Sequence, residues 1–280
     1  MFGRSVHSWL TCGSRKLMLL APESITKPNN FGAAESDPKL YDRLLANMQR
    51  LRGSTYLEDG AVSPDDLTAD GRHISPADAQ AWHVLSVDPC GSVRGCARYL
   101  SHGNRVSFSD LVLIRNSALA EHPLWGARLR EAVEDDVAIA RRRRVSYVEV
   151  GGWALHKTAR CTREALRIAL ATYALSRNLG GCIGISTVTV RHCSAAILQK
   201  IGGRFLEFAG SPLPLYYDPQ YRCEMAMLRF DSNETNPRYE SCMEELRVQF
   251  SAVPVLYKPL IHEPAPGAWQ FAPEGMLACA

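Results

Sequence analysis

The stretch from residue 145 to residue 206 constrains this 280-residue chain more than any other part of it. It opens with VSYVEVGGWALH, where period-2 alternation puts Val145, Tyr147, Glu149, Gly151 and Trp153 on one face of a strand and Val148 and Val150 on the other. A basic turn, KTARCT, leads into REALRIALATYALSRN, in which Leu166, Leu170 and Tyr173 share a helical face. Asn178, Gly180 and Gly181 end that helix, and a second strand, CIGISTV, precedes AAILQKIGGRF. Alternating strand and helix signals of this kind predict an α/β domain with a helix packed on a sheet.

Chemistry concentrates at two points of the stretch. Glu149 sits mid-strand among apolar neighbours, where burial disfavours the charged form and suits a carboxylate that takes a proton from an ammonium or amine. A water-facing or arginine-paired edge glutamate is the plain structural alternative. Gly151 and Gly152 beside it weaken strand packing but permit a bulge or the close approach of a ligand. In the turn, Thr162 is the expected helix cap and Glu164 a first-turn acid. Free amides at that helix start, with Lys157, Thr158, Arg160, Thr162 and Arg163 around them, form a candidate phosphate-binding site, which Glu164 opposes slightly.

Composition excludes several classes. With 32 basic and 29 acidic residues the net charge is +3, too small a field to drive the chain onto nucleic acid or an anionic membrane. Four consecutive arginines, Arg141 to Arg144, read as the cationic last turn of a helix with Glu131, Glu134, Asp135 and Asp136 upstream. The nine cysteines are odd in number and never spaced CxxC, which points to reduced thiols in the cytoplasm and to no metal site. Leu17 to Ala21 is too short a run for a signal core or a membrane span.

Elsewhere, Leu40, Leu44, Leu45, Met48 and Leu51 predict an amphipathic helix over residues 39–51, followed by Arg52 and Tyr56. Residues 63–78 read as a long substrate-facing loop. Residues 81–87 and 93–100 predict an antiparallel hairpin, 110–114 a further strand, 124–140 a helix and 240–250 another. Residues 1–38 read as a loose arm, 39–230 as the main domain, and 231–280, with Tyr239, Phe250, Tyr257 and Trp269, as an extension packing on it.

The order strand, basic turn, helix, strand, then AAILQKIGGRF resembles the core of the GNAT acyltransferase superfamily, with Ala195, Leu198, Lys200 and Gly202 on its closing pattern. The glycine-rich form of that superfamily's turn is absent here. Arg52 with Tyr56 four residues on, the acid Asp78, and VRGCARYL ending at Arg98 resemble elements of acyl-homoserine-lactone synthases and the related long-chain N-acyl amino acid synthases. Gly152 stands where the lactone synthases carry arginine, and Val62 where they carry tryptophan. The resemblance implies a mixed, mostly antiparallel α/β (α+β) sheet with a splayed strand and helices on both faces. It also implies transfer of an acyl group from an acyl carrier protein, or from coenzyme A, to the amine of a small acceptor such as an amino acid. The donor is a co-substrate on a phosphopantetheine arm, with no tightly bound cofactor, and the altered turn shifts the expected donor toward the carrier protein. Glu149 is the expected base and Arg98 the group that holds the acceptor carboxylate or braces Asp78. Arg52, Tyr56, Asp78, Gly151 and Trp153 are the expected acceptor-side residues. A lactone synthase, or a non-catalytic carrier- or metabolite-binding module on the same fold, are the other readings.

Overall fold

The computed structural model describes residues 11–12, 15–23, 25–103 and 105–259. The parts of the expected arm and extension at 1–10 and 260–280, Trp269 among them, lie outside the described residues. Among the described residues, one sheet of eleven strands organises the fold. Its principal strands are β1 (Arg15–Leu20), β2 (Ala34–Ser36), β3 (Trp82–Val87), β4 (Val93–Ser101), β5 (Ser146–Leu155), β6 (Cys182–Thr189), β7 (Tyr216–Asp218), β8 (Cys223–Asp231) and β9 (Val255–Tyr257). They lie in the order β7-β8-β6-β5-β4-β3-β1-β9-β2. Pairing is antiparallel except between β5 and β6 and where β9 joins β1 and β2. The helices are α1 (Pro38–Glu58), α2 (Val112–Arg115), α3 (Ala118–Glu121), α4 (Trp125–Arg143), α5 (Glu164–Asn178), α6 (Ser194–Lys200) and α7 (Glu240–Gln249). Among the described residues no helix is long and apolar enough to cross a membrane.

Local sequence explains the helices that carry the sheet. Asp37 caps α1 by accepting from the Leu40 amide at 2.9 Å, and Pro38 sits in the first turn, where its missing N–H costs nothing. The apolar stripe Leu44, Met48 and Leu51 packs on Leu85, Cys96 and Ala154 of one sheet face. On the same side α4 buries Leu129, Val133 and Val137 against Tyr147, Ile183 and Ile185. α4 ends at Arg144, whose φ of 57° makes the left-handed cap, so the arginine run is indeed a helix terminus. Across the sheet, Ile168, Leu170 and Tyr173 of α5 and Met243 and Leu246 of α7 meet Leu19, Val84, Tyr99 and Val148.

Several expectations need correction. Residues 15–20, inside the segment expected as a loose arm, form a strand deep in the sheet, because Leu17, Leu19 and Leu20 are all buried there. Residues 110–114, expected as a strand, instead close a 3-10 turn and enter α2. Asp110 accepts from both the amide and the hydroxyl of Ser107, a capping arrangement that favours a turn over extension. Thr162 is not the formal cap of α5, a position that Arg163 takes, yet its hydroxyl still accepts from the Glu164 amide at 3.1 Å.

The loop between α1 and β3 is held against α1 by contact too close for a side chain. A Cβ on Gly53 would stand 2.3 Å from the Gly71 carbonyl oxygen. Gly53→Ala is expected to cost about 1–3 kcal/mol through this overpacking and to lower the thermal midpoint by several degrees, as read by calorimetry.

Candidate functional site

The parallel pairing of β5 with β6 runs only from Ser146 opposite Cys182 to Glu149 opposite Ile185. Beyond that point β5 stays with β4 and β6 stays with β8, so the two strands part. Gly152 shapes the parting. Cys96 faces Ala154 and Arg98 faces Gly151, so Gly152 and Trp153 together oppose Ala97 in a bulge, with Gly152 at φ +60°. The bulge also corrects the simple alternation: Trp153 packs with Val148 and Val150 on the α5 side, opposite Tyr147.

A cavity of about 480 Å³ occupies the gap. Its lining runs from Arg52, Tyr56, His73, Arg98 and Glu149 on the α1 side, past Gly151, Gly152 and Trp153, to an apolar arm beneath α5. Ala169, Tyr173, Leu198, Ile201 and Phe230 line that arm. Six of the expected residues therefore meet in one cavity: Arg52, Tyr56, Arg98, Glu149, Gly151 and Trp153.

Buried charge organises the α1 end. Arg52 and Tyr56 stand four residues apart on α1 and so share a face. The Arg52 guanidinium forks onto Asp78, Nη1 to Oδ1 at 2.8 Å and Nη2 to Oδ2 at 2.6 Å, and Nη2 also reaches the His73 carbonyl. Asp78 accepts further from Gln49 and from the Ser75 amide, both at 3.1 Å. Asp78 thus acts behind the cavity wall, and Arg52 is a brace whose two terminal nitrogens are already engaged. Arg98 donates through Nη1 to Ser75 Oγ at 2.8 Å and lies 3.5 Å from Asp78. Its Nη2 stands 3.7 Å from where a Cβ on Gly151 would be, at the parting of the strands.

These surroundings move several protonation equilibria. Burial alone would raise the Asp78 carboxyl, but the Arg52 hydrogen bonds and charge outweigh it and hold the group well below its usual 3.8. Burial lowers His83 from 6.5 to about 4, despite its contact with the Asp78 carbonyl. Burial, then the Arg52 charge, also lowers His73, whose ring meets Tyr56 edge-on at 5.3 Å. Burial pushes the Tyr56 hydroxyl up.

Glu149 is fully buried yet well supplied with donors, in contrast to the apolar setting its sequence neighbours suggest. Oε1 accepts from the amides of Leu113 and Ile114 at 2.9 and 3.0 Å, and Oε2 lies 2.7 Å from Nε2 of His102. His73 and His102 escape a reading of local pattern because both belong to irregular segments. The antiparallel register of β4 and β5 could have found His102, since its amide bonds to the Tyr147 carbonyl at 2.9 Å.

The phosphate-turn candidates lie apart. Lys157, Thr158, Thr162 and Arg163 are exposed on the turn, and none of them, nor Arg160, lines the cavity. Arg160 is tethered to the Leu155 carbonyl and, at 3.4 Å, to Glu58 at the end of α1. Glu164 turns inward, where it pairs with Arg167 under the sheet, so it does not face the turn.

No protein-family model and no curated protein matches the chain. Solved structures do match. The chain is similar to a CoA-dependent acyl-homoserine lactone synthase, BjaI, solved with SAM and isopentyl-CoA and again with MTA. The two are 14% identical with a TM-score of 0.52, over 87% of this chain and 94% of that one. FeeM, an N-acyl amino acid synthase from uncultured soil microbes, aligns at 11% identity and a TM-score of 0.45, over 79% of this chain and 92% of that one. The likeness to BjaI establishes the fold expected above, a GNAT-like mixed sheet with helices on both faces.

Acid should unfold the protein in two stages. Between pH 6.5 and about 4 the unfolded chain binds a proton at position 83 that the folded state refuses, so stability falls as pH falls through that window. Below 3.8 the Asp78 contribution, full above that value, is lost as well. His83→Gln is expected to shrink the first stage, leaving the part that His73 contributes, and to keep the second, measured by urea unfolding at a series of pH values.

Proposed function

We propose that the protein is an N-acyltransferase of the GNAT type that moves an acyl group from a phosphopantetheine thioester to the amine of a small acceptor. The observation that carries this reading is a single cavity that joins a charged end to an apolar arm through the gap between β5 and β6. An acceptor with a charged amine and a carboxylate suits the first, and an acyl chain suits the second.

On this reading Arg98 Nη2, aimed at the gap, holds the acceptor carboxylate, while Nη1 is fixed by Ser75 and Asp78. Tyr56 forms part of the acceptor wall, and Arg52 with Asp78 keeps that wall in place. The Glu149 carboxylate draws in the ammonium and takes its proton, directly or through a water. The free amine adds to the thioester carbonyl, and a backbone amide near Gly151 and Gly152 stabilises the oxyanion. Gly152 lets β5 pass close to these arginines, since a Cβ there would stand 3.2 Å from the Arg98 side chain and 3.5 Å from Arg52 Nη1. Lys157, Thr158, Arg160, Thr162 and Arg163 border the outer turn, where the donor's phosphate would rest.

The donor is an acyl carrier protein or coenzyme A. BjaI is CoA-dependent, which supports the second, and the exposed basic turn serves either. The cytoplasm is the proposed location.

Mass spectrometry of lipid extracts from cells expressing the protein tests the reading. A new N-acyl amino acid is expected with the wild type and is expected to disappear with Glu149→Gln while acyl-donor binding persists. A lactone would point to autoinducer synthesis, and extracts identical to those of control cells, with acyl donors bound but never turned over, would favour a binding module.

A further inference from the structure

Amide formation from an ammonium releases a proton that this cavity must dispose of, and the disposal route is visible. In the proposed reaction the C–N bond forms and the thioester C–S bond breaks. Of the two protons the ammonium nitrogen loses, one ends on the thiol sulfur and one leaves as H⁺. Glu149, on the cavity wall, is 0% exposed, so a proton it accepts has no direct way out. His102 stands on its far side: Nε2 lies 2.7 Å from Oε2, the ring does not line the cavity, and its side chain is 15% exposed.

We infer that the Glu149–His102 pair is a proton exit, an inference that rests on the acyl-transfer reading. Glu149 takes the acceptor's proton inside the cavity. His102 takes that proton from the carboxyl and gives one to water, which restores the carboxylate for the next turnover. The geometry is built for a fixed relay. The His102 amide bonds to the Tyr147 carbonyl at 2.9 Å and the Tyr147 amide to the Gly103 carbonyl at 2.8 Å, so the imidazole is anchored two residues from Glu149. Oε1 is occupied by the Leu113 and Ile114 amides, which leaves Oε2 as the oxygen in contact with a titratable group. The other charged or titratable groups that sense the pair are Asp110, beside His102, and Tyr147, which Asp136 and Arg229 also influence. Asp110 is held by Ser107 and Tyr147 is deeply buried, so neither offers a competing path.

The test compares His102→Ala and His102→Gln under steady-state turnover of an acyl-coenzyme A donor with a free amino acid, drawn from a panel of the twenty, as acceptor. His102→Ala is expected to lower kcat by about 100-fold, the scale of a lost acid–base group, with the acceptor KM little changed. Added imidazole should restore kcat in proportion to its concentration. Glutamine keeps a donor for Oε2 but cannot take up and release a proton, so His102→Gln should stay slow and also respond to imidazole. Full activity in His102→Gln, wild-type kcat in His102→Ala, or a loss that imidazole does not repair would each overturn the exit and leave the transferase reading standing. Absence of turnover by the wild type with every donor and acceptor would overturn both.

Discussion

The parting of two parallel strands is the constraint on which the rest of this structure depends. While β5 and β6 remain paired, from Ser146 to Glu149, their amides and carbonyls satisfy one another. Once they separate, the facing edges carry polar backbone that a buried site must return to water or a ligand. Gly152 lies just past the point of separation, in the bulge where β5 pairs with β4. Its positive φ bends β5 through a bulge that any Cβ would strain, and the freed width becomes the cavity. Because the gap pierces the sheet, a polar pocket on the α1 face and an apolar arm under α5 become one space. On the acyl-transfer reading, neither face alone could place an amine and an acyl chain on either side of the same carbonyl.

Buried charge at the α1 end has a different logic. A desolvated arginine–carboxylate pair contributes little net stability compared with a packed apolar pair, yet losing one partner costs about 3–5 kcal/mol. Its value here is positional. Asp78 receives Arg52, Gln49 and the Ser75 amide, and Ser75 in turn receives Arg98, so the loop before β3 and the strand β4 are tied into one rigid wall. The consequence is that Arg98 presents a single nitrogen to the gap. A guanidinium left free to rotate would lose much of that selectivity to side-chain entropy.

How much of this was legible beforehand follows from the range over which each signal acts. The strand around Glu149, helix α5, the hairpin of β3 and β4, and the shared face of Arg52 and Tyr56 rest on periodicities within a dozen residues. Asp78 was singled out through the resemblance, with Arg98 as its possible partner, but its bonds to Arg52, Gln49 and the Ser75 amide emerge only when that loop folds back on α1. Trp153 was placed on the wrong face because strict alternation assumes no bulge, although the glycine pair advertised one. Residues 110–114 looked extended by their apolar content, whereas the Asp110–Ser107 cap and the demand of Glu149 for two amides turn them into a helix start. His102 lies 47 residues from its partner. No local pattern could join them, and only the register of β4 against β5 brings them together.

Glu164 looked like a flaw in an anion site, since a carboxylate in the first turn competes for the positive end of the helix. In the folded chain it is drawn under the sheet by Arg167, and Arg15 lies 3.4 Å away, so its charge is neutralised from within. The outward surface of the turn is left to Lys157, Thr158 and Arg163, while Arg160 is spent on Glu58 and Asp59. What remains is an exposed cationic rim outside the cavity, with screening by water and salt at full strength. Such a rim discriminates poorly between phosphates but adds to any larger anionic surface that covers it. On the acyl-transfer reading, then, choice of carrier belongs to the rim, choice of acyl group to the arm beneath α5, and choice of amine to the wall built on Asp78. Three separate surfaces meet only at the carbonyl, so each can vary without disturbing the others.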